Sequence, residues 1–131
     1  MRDKPLILVV DDEANLLEII STKLNASGFE AVVAYNAQEA VDATTKLKPD
    51  LVLMDIHMPG ETGTDAALTI KHNPETKNIR IAFLSSMKDP WPSVMADRKD
   101  VSAQMGMDDF IDKTADLDVI VTRVREILGR K

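Results

Sequence analysis

Apolar residues in this chain fall in short unbroken runs, separated by stretches in which they recur every three or four positions. LILVV at 6–10, FEAVVA at 29–34, LVLM at 51–54 and IRIAFL at 79–84 have strand length. Unbroken rather than alternating apolarity marks strands covered on both faces. Between the first two runs, Leu16, Ile20 and Leu24 stand at i, i+4 and i+8 with Leu17 beside them, which predicts a helix over 14–27, and Gly28 sits where a left-handed C-terminal cap is expected. A second helix over 37–47 is announced by Asn36-Ala37-Gln38-Glu39, an N-cap candidate with a glutamate three positions on, and Pro49 ends it. Beyond HMPGETG the pattern predicts a helix over 64–72, a further helix between Ser85 and Gly106, and a fifth strand from Asp109 to Asp112. A last helix carries Leu117, Ile120, Val121, Val124 and Leu128 on one face.

Strands that alternate with helices predict a parallel sheet with helices on both sides, because right-handed crossovers place them there. Ligands of such sheets bind beyond the carboxyl ends of the strands. Asp11 and Asp12 follow the first apolar run, Asp55 the third, Ser85 the fourth, and Lys113 the last, Phe110 and Ile111. Acids gathered at strand exits repel one another unless a cation joins them. An all-oxygen cluster suits Mg²⁺, which often shares its shell with phosphate.

Composition narrows the alternatives. With 131 residues, 44% of them apolar, one domain without a linker is expected over 1–131. A formal charge of -6 argues against direct binding of nucleic acid or anionic membrane. The absence of cysteine excludes disulfides, thiol catalysis and zinc-thiolate sites, and His57 and His72 are too few for most histidine-based centres. Only five apolar residues lie between MRDKP and Asp11, too short a run for a secretory or membrane segment, so a cytoplasmic location is expected.

VVDDE, LMDIHMPGETG, FLSS and GMDDFIDK, in this order and spacing, resemble the receiver domain of two-component response regulators over essentially the whole chain. The resemblance implies a flavodoxin-like, doubly wound, five-stranded sheet of order 2-1-3-4-5 with five helices in three α/β/α layers. It implies that Asp55 accepts a phosphoryl group from a histidine kinase or a histidine phosphotransfer protein. Asp12 and Asp55 would hold Mg²⁺ directly, Asp11 through water, and the backbone carbonyl of His57 would be a further ligand. Ser85 and Lys113 would contact phosphoryl oxygens, and Phe110 would stand at the aromatic switch position. His57 and Met87 would set how fast water removes the phosphoryl group, an apolar Met87 favouring a long-lived one. The surface of the fourth helix, fifth strand and fifth helix would meet an effector domain or a homodimer mate. No turnover of an external substrate is implied.

The chain departs from the family pattern in places. Thr114 follows Lys113 where proline with a cis bond is usual, and a cis bond before threonine would cost about 3 kcal/mol, so a trans bond is expected. Ser86 stands where alanine or glycine is usual. The interval from Ser85 to Gly106 is longer than the norm and holds Pro90-Trp91-Pro92, which makes Trp91 a candidate partner contact. One rival function is a phosphorylation-independent docking module of the same fold. Another is a Mg²⁺-dependent phosphohydrolase, but the second acid sought two residues after the nucleophile is His57 here. A flavin protein is the third, disfavoured by the acids of the first loop. A stand-alone receiver and one excised from a longer protein are equally compatible with the sequence.

Overall fold

The computed structural model describes residues 4–55, 63–85, 109–112 and 116–129. Five strands, β1 (Leu6–Val10), β2 (Glu30–Ala34), β3 (Leu51–Asp55), β4 (Arg80–Ser85) and β5 (Asp109–Asp112), form one sheet. Every neighbouring pair is parallel and the order is β2-β1-β3-β4-β5, as the resemblance implies. Helices α1 (Ala14–Ala26), α2 (Ala37–Leu47), α3 (Gly63–His72) and a C-terminal helix (Leu117–Leu128) are described. The helix expected between Ser85 and Gly106 lies outside the described residues.

The alternation of side chains along a strand divides the core in two. Ile7 and Val9 of β1, Leu51 and Leu53 of β3, and Ala82 and Leu84 of β4 pack with Leu17, Ile20 and Leu24 of α1 and with Ile120, Val121, Val124 and Ile127 of the C-terminal helix. The intervening residues, Leu8, Val10, Val52, Met54, Ile81 and Phe83, pack on the other side with Ala40 of α2 and Ala66, Ala67 and Ile70 of α3. This is why β1 and β3 read as unbroken apolar runs: both sets are buried. The helical stripes also fall as expected, with one addition. Ile127 is fully buried, whereas Leu117 and Leu128 at the ends of the stripe are partly covered.

The helix ends follow local chemistry. Gly28 has a φ of 97° after α1, the left-handed conformation that glycine adopts without a Cβ penalty. Asn36 caps α2 by accepting the Glu39 N–H at 2.9 Å, while the Glu39 carboxylate reaches past the cap to the N–H of Tyr35 at 3.1 Å. Lys48 closes α2 with a φ of 49°, before Pro49. An acid at a strand exit can also cap the helix that follows, and Asp12 precedes α1. It does not do so here: Glu13 is the N-cap residue and makes no side-chain cap.

The C-terminal helix is tied to the rest at several points. Arg125 donates to the Ser27 carbonyl at 2.9 Å and lies 5.7 Å from the centre of the Phe29 ring, a cation-π distance. Lys23 of α1 meets Asp118 at 2.8 Å, and this hydrogen bond and charge hold the Asp118 carboxyl below its ordinary range. A depressed carboxylate contributes stability above its unfolded pKa and loses it as pH falls through the folded value. We expect Lys23→Gln to return the Asp118 titration, followed by carboxyl NMR shifts, to the ordinary range with little change in melting temperature, since the pair is exposed. An unmoved titration would mean that another group holds Asp118.

Candidate functional site

Parallel strands end together, so the carboxyl edge of the sheet collects whatever follows each apolar run. β1 and β3 are adjacent, with Val10 opposite Met54. The β1 ladder runs one residue past the strand because the Asp11 N–H donates to the Ala34 carbonyl at 3.2 Å. Extending the β1–β3 register by the same residue sets Asp11 beside Asp55, the last residue of β3. Asp11 shares side-chain parity with Ile7 and Val9, and Asp55 with Leu51 and Leu53, so both belong to the face that α1 covers.

The outcome is a compact acidic cluster. One carboxylate oxygen from each of Asp11, Asp12 and Asp55 lies within 4.8 Å of the others, with Asp11 and Asp55 fully buried and Asp12 exposed. Asp11 is oriented locally: its Oδ1 accepts the backbone N–H of Glu13 at 3.0 Å. This bond is what sequence reasoning missed. The Asp-x-Glu spacing carries the signal, since an aspartate side chain readily accepts from the N–H two residues on. Acids this close repel by on the order of 3 kcal/mol per pair at an effective dielectric of 20. The donor set is entirely carboxylate oxygen, with one exposed member through which an ion could enter. These features fit a hard, oxygen-seeking divalent cation.

Other candidates are placed only in part. Asp55 pairs in register with Leu84, which puts Ser85 one residue further along the same edge as the end of β4. Ser85 pairs with Asp112, and Phe110 with Phe83. Lys113 directly follows β5 but lies outside the described residues, as do His57, Ser86, Met87, Trp91 and Thr114 and the peptide bond between Lys113 and Thr114. Among the described residues no helix is long and apolar enough to cross a membrane.

Comparison with known proteins agrees with this architecture. A family model described as the response regulator receiver domain matches residues 7–125. The phosphate regulon transcriptional regulatory protein PhoB of Pseudomonas aeruginosa is 34% identical over 124 residues, which cover 95% of this chain and 52% of that protein. The DNA-binding response regulator MtrA of Mycobacterium tuberculosis is 33% identical over 95% of this chain and 50% of its own length. The chain therefore spans about half the length of these curated relatives, and the DNA binding in a relative's name belongs to that whole protein. Among solved structures, a putative response regulator from Chloroflexus aurantiacus superimposes with a TM-score of 0.83 at 27% identity, covering 97% of this chain and 99% of that one. Chemotaxis protein CheY4 of Vibrio cholerae gives 0.82 at 20% identity over 95% and 98%, a likeness of fold.

Proposed function

Since the chain belongs to the response regulator receiver family, we propose that Asp55 is its phosphoryl acceptor and that Asp11 and Asp12 complete a Mg²⁺ site beside it. The carrying observation is the placement of the three carboxylates within 4.8 Å at the ends of the two central strands. An Asp55 oxygen attacks phosphorus, a P–O bond forms, and the P–N bond to the donor's imidazole breaks, the nitrogen pair staying with the ring. Mg²⁺, when bound, supplies positive charge that offsets the negative charge of the transferring group.

The chain's own residues provide the setting. Asp11 is buried and held by the Glu13 amide, so its charge is positioned before the donor arrives. Burial of Asp55 leaves it few orientations and limits competing water. Ser85 and Lys113 are the proposed phosphoryl contacts, the His57 backbone carbonyl a further metal ligand, and His57 and Met87 the proposed regulators of hydrolysis. Phe110 is the proposed aromatic switch and Trp91 a partner contact. The donor would be a histidine kinase or a histidine phosphotransfer protein, and the output an effector domain or a second copy at the face of the fifth strand and its flanking helices. We take 1–131 as one receiver domain, cytoplasmic, catalysing only its own phosphorylation and dephosphorylation. The acceptor reading is preferred over phosphorylation-independent docking because a docking module has no use for buried acids in contact.

Intact mass after incubation with phosphoramidate tests this. One phosphoryl adduct should form in the presence of Mg²⁺, and none with EDTA or in Asp55→Asn. A folded wild-type chain that takes no adduct would instead favour the docking module.

A further inference from the structure

The peptide group between Ala34 and Tyr35 is held from both sides. Its carbonyl oxygen accepts the Asp11 N–H at 3.2 Å, and its own N–H, that of Tyr35, donates to Oε1 of Glu39 at 3.1 Å. The carbonyl and N–H of one trans peptide point in opposite directions, so the first bond reaches inward to the end of β1 and the second outward. β2 is an outer strand, and among the described residues no further strand stands beside it to take the Tyr35 N–H. A side chain from the first turn of α2 takes it instead. Glu39 is in turn fixed by Asn36, whose Nδ2 donates to its Oε2 at 3.3 Å and whose Oδ1 accepts its N–H at 2.9 Å.

Asp11 is consequently held at two points. Its carboxylate is aimed by the Glu13 N–H at 3.0 Å, and its main chain is placed by the Ala34 carbonyl, one residue beyond the end of β1. Turning the plane of that peptide moves the Asp11 N–H and with it the buried carboxylate that lies within 4.8 Å of Asp12 and Asp55. Water accepting from the Tyr35 N–H would fix no direction, whereas Glu39 accepts from a set position on a capped helix. Charge adds to this. Hydrogen bonds in series polarise one another, so a carboxylate on the N–H makes the carbonyl of the same peptide a stronger acceptor for Asp11.

We propose that Glu39 is a positioning residue for Asp11, acting through this one peptide group on the geometry of the Mg²⁺ site. The part that concerns metal rests on the proposed function; the hold on Asp11 rests on the hydrogen bonds alone. Glu39 is not one of the three clustered acids, so its effect travels through Asp11. The role requires reach as well as charge, which separates it from a general attraction of cations by an acid. Glutamine keeps an acceptor at the same reach, while aspartate keeps the charge on a shorter side chain.

The test uses the full 131-residue chain, with Mg²⁺ affinity from calorimetry and, in EDTA, the NMR shift of the Asp11 amide proton, which follows the strength of its hydrogen bond. Loss of a group that orients a metal ligand typically costs about 10–100-fold in affinity, and for one acting through a peptide we expect about threefold to tenfold in Glu39→Ala. The Asp11 proton should move upfield in the same variant without metal. Glu39→Gln should stay near wild type in both readouts, and Glu39→Asp should resemble Glu39→Ala. Thr45→Gly, which loosens α2 from an exposed position, should lower the melting temperature and leave both readouts unmoved. A folded Glu39→Ala with unchanged Mg²⁺ affinity and an unmoved Asp11 proton overturns the proposal. So does a Thr45→Gly that weakens Mg²⁺ binding as much as Glu39→Ala. Should Glu39→Ala fail to fold, Glu39→Asp binding Mg²⁺ as tightly as Glu39→Gln overturns it too. A wild-type chain that binds no Mg²⁺ overturns the proposed metal site instead, and the Asp11 shift in EDTA still decides whether Glu39 holds Asp11.

Discussion

Asp55→Asn is expected to melt at a higher temperature than wild type in EDTA and to gain little when Mg²⁺ is added, whereas wild type should gain clearly. Asp55 is fully buried, and its carboxylate stands within 4.8 Å of two others. The amide keeps the shape and removes the charge, which relieves both repulsive pairs and the desolvation of a buried anion. A gain of about 1 kcal/mol corresponds to roughly 4 °C for a domain of 131 residues. Mg²⁺ stabilises by mass action only if the folded state binds it, so removing one ligand should flatten the dependence of melting temperature on Mg²⁺ concentration. Thermal melts in both conditions check the pair of statements. A variant that melts lower in EDTA would show that the Asp55 charge is net stabilising without metal. A variant that keeps the wild-type response to Mg²⁺ would remove Asp55 from the ligand set.

Phe83→Ala has the largest expected effect on folding. Phe83 is fully buried on β4, on the face shared by Val52, Met54, Ile70 and Ile81. Truncation removes the ring and leaves a cavity between the sheet and α3, in a centre of the sheet with little freedom to collapse. Such changes cost about 3–5 kcal/mol, a large part of the roughly 5–15 kcal/mol that holds a domain together. Urea denaturation should show a lower midpoint with an unchanged slope. A loss below about 1 kcal/mol would mean that the helices close over the gap. Because β4 neighbours β3, loosening it should also reduce phosphoryl acceptance, although Phe83 has no chemical role there.

Much of the fold is legible in the chain because the physics involved is local or periodic. The unbroken runs at Leu6–Val10 and Leu51–Asp55 are what burial on both faces requires. The stripes of α1 and the C-terminal helix match the periodicity of their buried residues. Boundaries slipped by a residue where a polar group joined a ladder. Asp55 and Ser85 are the last residues of β3 and β4, although apolar composition alone ends those strands at Met54 and Leu84. An acid at a strand exit can cap a helix or hold a cation, and the backbone geometry at Glu13 takes the capping position from Asp12.

The sequence by itself determined the class of fold, the edge of the sheet where chemistry gathers and the acids that gather there, because hydrophobic periodicity and the common direction of parallel strands need no long-range information. Tertiary structure decided the rest. Which carboxylates are buried, and that Asp11 stands beside Asp55, depends on the register of two strands more than forty residues apart. That Asn25 accepts the Ala31 N–H and Glu39 the Tyr35 N–H depends on where two helices end in space. Both outcomes arise from packing between distant segments, and no spacing within a single segment encodes it.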